Sequence, residues 1–232
     1  MNAPALRRIE IDARTLTCHP GELKARLMGA VPQSLDILPA CLEELYQAAN
    51  PCAIAACVTV KRCGESKLDL GFGAFESRQL YKALQSCPRA FVYAATLGAQ
   101  VDRLLYRLSH LSPARHFITD AAASAMIEAA CDQVDTQLQT ELLAQTDLAS
   151  HTNTPATASD HLSAASSDDD SVNNRSAYFR PRFSPGYGDL PLALQPDLLH
   201  FLNAQRWVGI TVGKTLLMSP MKSVTAIMGI LI

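Results

Sequence analysis

Apolar and polar residues alternate from Leu6 to Asp12, which predicts a short strand near the N-terminus. A helical pattern follows over about Gln33–Ala48. The run Ala53–Lys61 (AIAACVTVK) is bounded by a proline and by charges and reads as a buried strand. Ser77–Leu84 predicts a helix that places Leu80, Tyr81 and Leu84 on one face. Ala90–Ala95 predicts a strand that enters a turn at Thr96-Leu97-Gly98, and Val101–Leu108 an amphipathic helix. Beyond the long helix described next, a helix is expected over Leu192–Asn203, with strands over Val208–Thr215 and Val224–Ile230. Strands and helices mix without a regular βαβ rhythm. The expected class is α+β, a twisted and largely antiparallel sheet with flanking helices in a single domain.

The longest periodic element spans about Ala114–Ala144. At about 100° per residue, Asp120, Ser124, Glu128, Asp132 and Asp135 fall within one arc. Ile118, Ala122, Met126, Ala130 and Val134 fall on the other side. The acidic arc is either a solvated helix face or one wall of a cleft that offers carboxylate to a cationic ligand, and periodicity does not choose between them.

Residues 147–177 are rich in Ser, Thr, Asp, Asn and Ala and contain the run Asp168-Asp169-Asp170. Such a segment buries too little apolar surface to offset its ordering entropy, so a disordered insert is expected there. A metal site at the three aspartates is the weaker alternative to a solvated loop.

Composition narrows the function. The 232 residues are 48% hydrophobic with a formal charge of -2, enough for one sizeable core. The balance is not that of a nucleic-acid binder. No apolar stretch suits a signal peptide or a membrane span, so a soluble, cytoplasmic protein is expected. The seven cysteines form no Cys-x-x-Cys pair and sit mostly among apolar neighbours, as buried thiols of a reducing compartment do. Six histidines show no metal-ligand spacing, and Gly71-Phe72-Gly73 lacks the rest of a phosphate loop. Signatures of self-contained hydrolytic, kinase or Rossmann chemistry are missing, which points to a site that binds and presents a reagent.

The most promising loop is Tyr178–Asp189, YFRPRFSPGYGD. Pro181 and Pro185 stiffen the backbone around Arg182, while Gly186 and Gly188 allow close approach. Arg182 can fork onto a carboxylate, and Tyr187 offers a hydroxyl and a ring face to a cation. An ordinary structural turn explains the same composition equally well.

From Arg182 to Gln195 (RFSPGYGDLPLALQ) the chain resembles the activation domain of vitamin B12-dependent methionine synthase, which carries an Arg-x-x-x-Gly-Tyr motif, here Arg182, Gly186 and Tyr187. Ala94–Asp102, Asp120–Asp132 and Met218–Ile227 are similar to short free-standing forms of that domain. The resemblance implies a shallow groove for S-adenosylmethionine, with Arg182 on its carboxylate and Glu128 facing its positive groups. Met228 and Gly229 are implied as a second ligand-touching stretch. It further implies an accessory role in reductive methylation of a corrinoid. Cobalamin is then carried by a partner methionine synthase module, and an electron comes from a flavodoxin-like donor. A non-catalytic S-adenosylmethionine-binding regulatory or assembly subunit is the alternative. Two positions depart from the synthase pattern: Ser176 and Ala177 stand where it has an acidic residue before the arginine, and Lys214 replaces another.

Overall fold

A computed structural model of the chain describes residues 5–16, 23, 25–27, 36–151 (of 146–151 the backbone alone) and 178–232. The class is α+β. Strands β1 (Leu6–Glu10), β2 (Cys52–Thr59), β6 (Arg89–Thr96) and β9 (Ser223–Ile230) lie side by side in that order. All three pairings are antiparallel. A meander of β3 (Lys61–Gly64), β4 (Lys67–Asp69) and β5 (Ala74–Glu76) forms a second sheet, and β7 (Thr211–Val212) pairs with β8 (Met218–Ser219).

Strand pleating sends alternate side chains to opposite faces, and both faces of the main sheet are covered. Ala53, Ala55, Tyr93, Ala95, Ala226 and Met228 share one core with Ala122, Met126, Ala130 and Val134 of the long helix α4 (Pro113–His151). Helices α1 (Leu38–Ala48) and α3 (Ala99–Leu111) add Leu45, Val101 and Leu105 to that layer. On the other face Ile54, Val58, Val92, Ala94 and Ile227 pack with Leu68 of the meander. Leu80 of α2 (Arg78–Ala83), Leu198 of α5 (Gln195–Phe201) and Val208 of α6 (Ala204–Val208) complete this second core. Burial on both sides explains why β2 is apolar without alternation. The alanines on the α4 side let helix and sheet approach closely.

Residues 179–183 run along the open edge of β9. Phe183 and Ile227 exchange two backbone hydrogen bonds of 2.8 Å, and the Arg180 N–H donates to the Gly229 carbonyl at 2.9 Å. This edge contact fixes where the proline-rich loop stands relative to α4.

Several boundaries differ from expectation. α4 continues to His151, five residues into the segment expected to be disordered, and 152–177 lie outside the described residues, as do Ser176, Ala177 and the three aspartates. The first helix is described from Leu38, because 33–35 also lie outside. The helix expected over Leu192–Asn203 is a 3-10 turn at Leu192–Leu194 followed by α5. The strand expected from Val208 is instead α6, bracketed by left-handed Asn203 (φ 49°) and Gly209 (φ 71°), with only Thr211–Val212 in strand form. Val208 and Ile210 are β-branched, but the left-handed Gly209 between them ends a helix and prevents a continuous strand. No described helix is long and apolar enough to cross a membrane.

Gly229 is the tightest point in the sheet. A Cβ there falls 2.7 Å from both Cys87 Sγ and Leu84 Cδ2. Gly229→Ala is expected to overpack this contact and lower stability by about 1–3 kcal/mol. Urea unfolding of the two proteins checks it, and an unchanged midpoint contradicts it.

Candidate functional site

The acidic arc of α4 is neither bare nor solvated along its length. From the edge of β9, Arg182 reaches across to three of its carboxylates. Nη2 donates to Glu128 Oε2 at 2.8 Å, and Nη1 to Asp132 Oδ1 at 2.6 Å and Asp135 Oδ2 at 2.9 Å. Glu128, Asp132 and Asp135 are spaced by four and three residues, so one helix face presents them together. The three differ in depth. Asp135 keeps 14% of its side-chain surface exposed and Asp132 63%.

This arrangement corrects one expectation. Arg182 is not an open fork awaiting a ligand carboxylate, because the protein's own carboxylates occupy it. Burial alone disfavours the charged guanidinium, but the bonds from Asp132 and Asp135 outweigh it and hold Arg182 firmly protonated. Three carboxylates against one guanidinium leave the cluster net negative.

Beneath it lies a buried polar layer. Tyr93, from the centre of β6, is fully buried, and its hydroxyl lies close to the Asp135 carboxyl. Burial pushes the Tyr93 phenol well up, and the nearby Cys131 and Asp135 add to that. The Cys131 thiol is raised by burial too, which keeps it protonated. Burial likewise raises the Asp135 carboxyl above the ordinary carboxylate range, against the opposing pull of Arg182.

The loop after Arg182 is held from two sides. The Gly186 N–H donates to the Leu190 carbonyl at 2.9 Å. Gly186 has φ +88°, and a Cβ there falls 3.2 Å from Leu192, so the turn favours glycine. Asp189 accepts from Ser77 Oγ at 2.5 Å and from the Arg78 N–H at 2.8 Å, capping α2. The Ser77 bond, with the two backbone donors of Arg78 and Gln79, lowers the Asp189 carboxyl below its usual value. Tyr187 remains 67% exposed, with its ring edge-on to Phe183 at 5.3 Å. Arg182 and Glu128 are thus brought together, whereas Gly186 and Tyr187 are held against Leu190, Leu192 and Phe183.

Met228 and Gly229 lie on β9 alongside residues 180–183. Met228 is buried under α4, where its sulfur accepts from Gln139 Nε2 at 3.4 Å. Gly229 turns to the opposite face of the sheet, against Leu84 and Cys87. Both positions are taken up by packing. Lys214, another flagged position, is exposed in the turn between β7 and β8.

Two residues escaped the sequence reading. Lys222, the sole cation of the Met218–Ile227 block, pairs with Asp120 Oδ1 at 2.8 Å and donates to Ser124 Oγ at 2.8 Å. Its charge beside the other half of the arc was the available signal. Tyr93 gave none, since an aromatic residue in a buried strand is ordinarily core. Away from this face, a cavity of about 230 Å³ opens beside Arg7, Cys57, Arg89 and Leu138. Its cations are engaged, Arg7 by Glu141 and Arg89 by the Ile232 carbonyl at 2.9 Å.

No family model matches the chain, and no curated protein matches it in sequence. Among solved structures, the fold is similar to that of the MetH reactivation domain bound to AdoHcy. The TM-score is 0.67 at 12% sequence identity, over 97% of this chain and 78% of that one. The likeness establishes a shared fold.

Because the Asp135 carboxyl is raised in the folded protein, the native state holds that proton more tightly than the unfolded chain. The contribution of this residue to stability is then greatest below the unfolded value and declines as pH rises through the raised folded one. Asp135→Asn is expected to flatten the decline. Urea unfolding between about pH 4 and pH 7 checks this, and an unchanged pH slope contradicts it.

Proposed function

We propose that this protein is an S-adenosylmethionine-binding accessory module that supports reductive methylation of a corrinoid carried by a partner protein. The observation that carries the proposal is the clamp of Arg182 on Glu128, Asp132 and Asp135, with the Gly186-Tyr187 turn four residues on in sequence. It stands in a fold whose neighbour, the MetH reactivation domain, was crystallised with AdoHcy.

The charges suit the ligand. S-adenosylmethionine carries a carboxylate, an ammonium and a sulfonium. Its carboxylate takes the place of Asp132, the most exposed partner of Arg182, and forms the forked pair that guanidinium geometry favours. Glu128 and the released Asp132 then face the ammonium and sulfonium, and the exposed Tyr187 ring covers the cation. The deep pair of Arg182 with Asp135 stays in place and keeps the guanidinium oriented. The protein's part is to bind and orient the methyl donor. The methyl acceptor, cobalamin on a methionine synthase-type module, and the electron donor, a flavodoxin-like protein, are supplied by partners. Met228 and Gly229 retain at most a backbone role in this proposal.

One observation favours the alternative, a non-catalytic regulatory or assembly subunit: Arg182 is already engaged without ligand. A purified mixture with a cob(II)alamin-dependent methyltransferase, a reductant and S-adenosylmethionine separates the two. Methylcobalamin formation that depends on this chain supports the first, and binding without methylation supports the second.

Isothermal titration with S-adenosylmethionine is expected to give saturable binding. Arg182→Ala is expected to weaken it by about thirtyfold, the equivalent of about 2 kcal/mol for a charged hydrogen-bonded pair. Binding that is undiminished in Arg182→Ala, or absent from the wild type, refutes the assignment.

A further inference from the structure

The other half of the acidic arc is organised as carefully as the half that Arg182 holds. Residues 220–223 are pinned by a set of hydrogen bonds larger than a surface turn requires. Both oxygens of Asp102 accept from the Met221 N–H, at 3.1 and 2.9 Å. The Leu97 N–H donates to the Lys222 carbonyl at 3.0 Å. Ser223 Oγ lies 2.8 Å from Thr96 Oγ1 and 2.7 Å from the Pro220 carbonyl. The backbone of Lys222 is thereby fixed to α3 and to the end of β6, and its side chain must leave in one direction, along α4.

There the ammonium meets Asp120 and Ser124, each at 2.8 Å. An ammonium carries three donors. Two are committed, and the third has no partner among the described residues. Only 13% of the side chain is exposed, so this free N–H is held in place and partly desolvated. A donor in that state forms a stronger bond than one waving in water.

Position along the helix gives the span. The partners of Lys222 centre near residue 122, and those of Arg182 near residue 132. Ten residues of helix rise roughly 15 Å. In an adenosyl amino acid about ten covalent bonds separate the carboxylate from the purine, roughly 12 Å when extended, and the ring adds further length. Purine nitrogens and ribose oxygens are hydrogen-bond acceptors. A ligand with its carboxylate on Arg182 and its body lying along the arc brings such acceptors to Lys222.

We infer that Lys222 is a second ligand-binding residue on the same face of α4, donating its free N–H to the nucleoside end of the molecule whose amino-acid end Arg182 holds. This rests on the reading given under Proposed function and adds to it a polarity: amino acid toward Asp135, nucleoside toward Asp120. Asp120 positions the ammonium without touching the ligand, and an amide in its place still accepts from Nζ.

The test is isothermal titration of S-adenosylmethionine into the wild type, Lys222→Met and Asp120→Asn, each checked for folding by circular dichroism. Lys222→Met removes the donor and keeps the stem, and is expected to weaken binding about tenfold. Asp120→Asn removes the ion pair and keeps the ammonium, and is expected to bind within twofold of the wild type or more tightly. If Lys222→Met binds like the wild type, or if Asp120→Asn weakens binding as much as Lys222→Met does, the inference is overturned. Should Lys222→Met fail to fold, Lys222→Gln, which removes the charge and shortens the reach, takes its place: a loss of about tenfold supports the inference and unchanged affinity overturns it. A wild type that does not bind the probe at all defeats the parent reading instead, a distinct outcome.

Discussion

One guanidinium ties the two halves of this face together. Arg182 projects from a segment that belongs to the sheet, because residues 179–183 are hydrogen-bonded along β9. Its partners belong to α4. The triple contact with Glu128, Asp132 and Asp135 therefore spans the gap between the outer edge of the sheet and the helix laid over it. The burial of Asp135 depends on that cation. Removal of one partner from a buried ion cluster leaves a charge that neither water nor protein compensates. Under the proposed function the same cation also receives the ligand carboxylate, so structure and recognition draw on one group.

The rest of the site follows from how this contact is framed. Asp189 caps α2 and holds the far end of the proline-glycine loop. Asp102 receives the Met221 N–H and so docks the loop before β9 onto α3. Lys222 then pairs with Asp120 at the front of the arc. Segments far apart in sequence, near residues 77, 102, 189 and 222, are each joined to another by a carboxylate. The bonds of Asp102 and Lys222 flank a strip of α4 that carries more acid than base, a setting that favours a cationic ligand.

Much of this was legible in the order of residues. The apolar and acidic arcs of α4 follow from its 100° step, and Ala122, Met126, Ala130 and Val134 are indeed core. The apolar run of β2 reads as a buried strand, and the structure covers both its faces. Other elements left weaker traces. The meander β3–β5 uses strands of three or four residues with Lys61, Arg62 and Lys67 among them, too short and too charged to declare a period. α6 ends at Val208, whose β-branching suggests a strand until the left-handed Gly209 is seen. The engagement of Arg182 was invisible because it depends on the register of residues 179–183 against β9, a long-range pairing that no local pattern encodes. Tyr93 was hidden for the same reason. Its neighbours Asp135 and Arg182 come from elements more than forty residues away.

Under the proposed function Arg182 is an exchanger, bound to α4 without ligand and partly handed to the ligand when it binds. Side-chain nitrogen NMR of the Arg182 guanidinium during titration with S-adenosylmethionine reads this directly. The account predicts a saturable shift of the Arg182 Nε and Nη resonances, larger than that of any other arginine. Saturable ligand binding that leaves those resonances unmoved would contradict it.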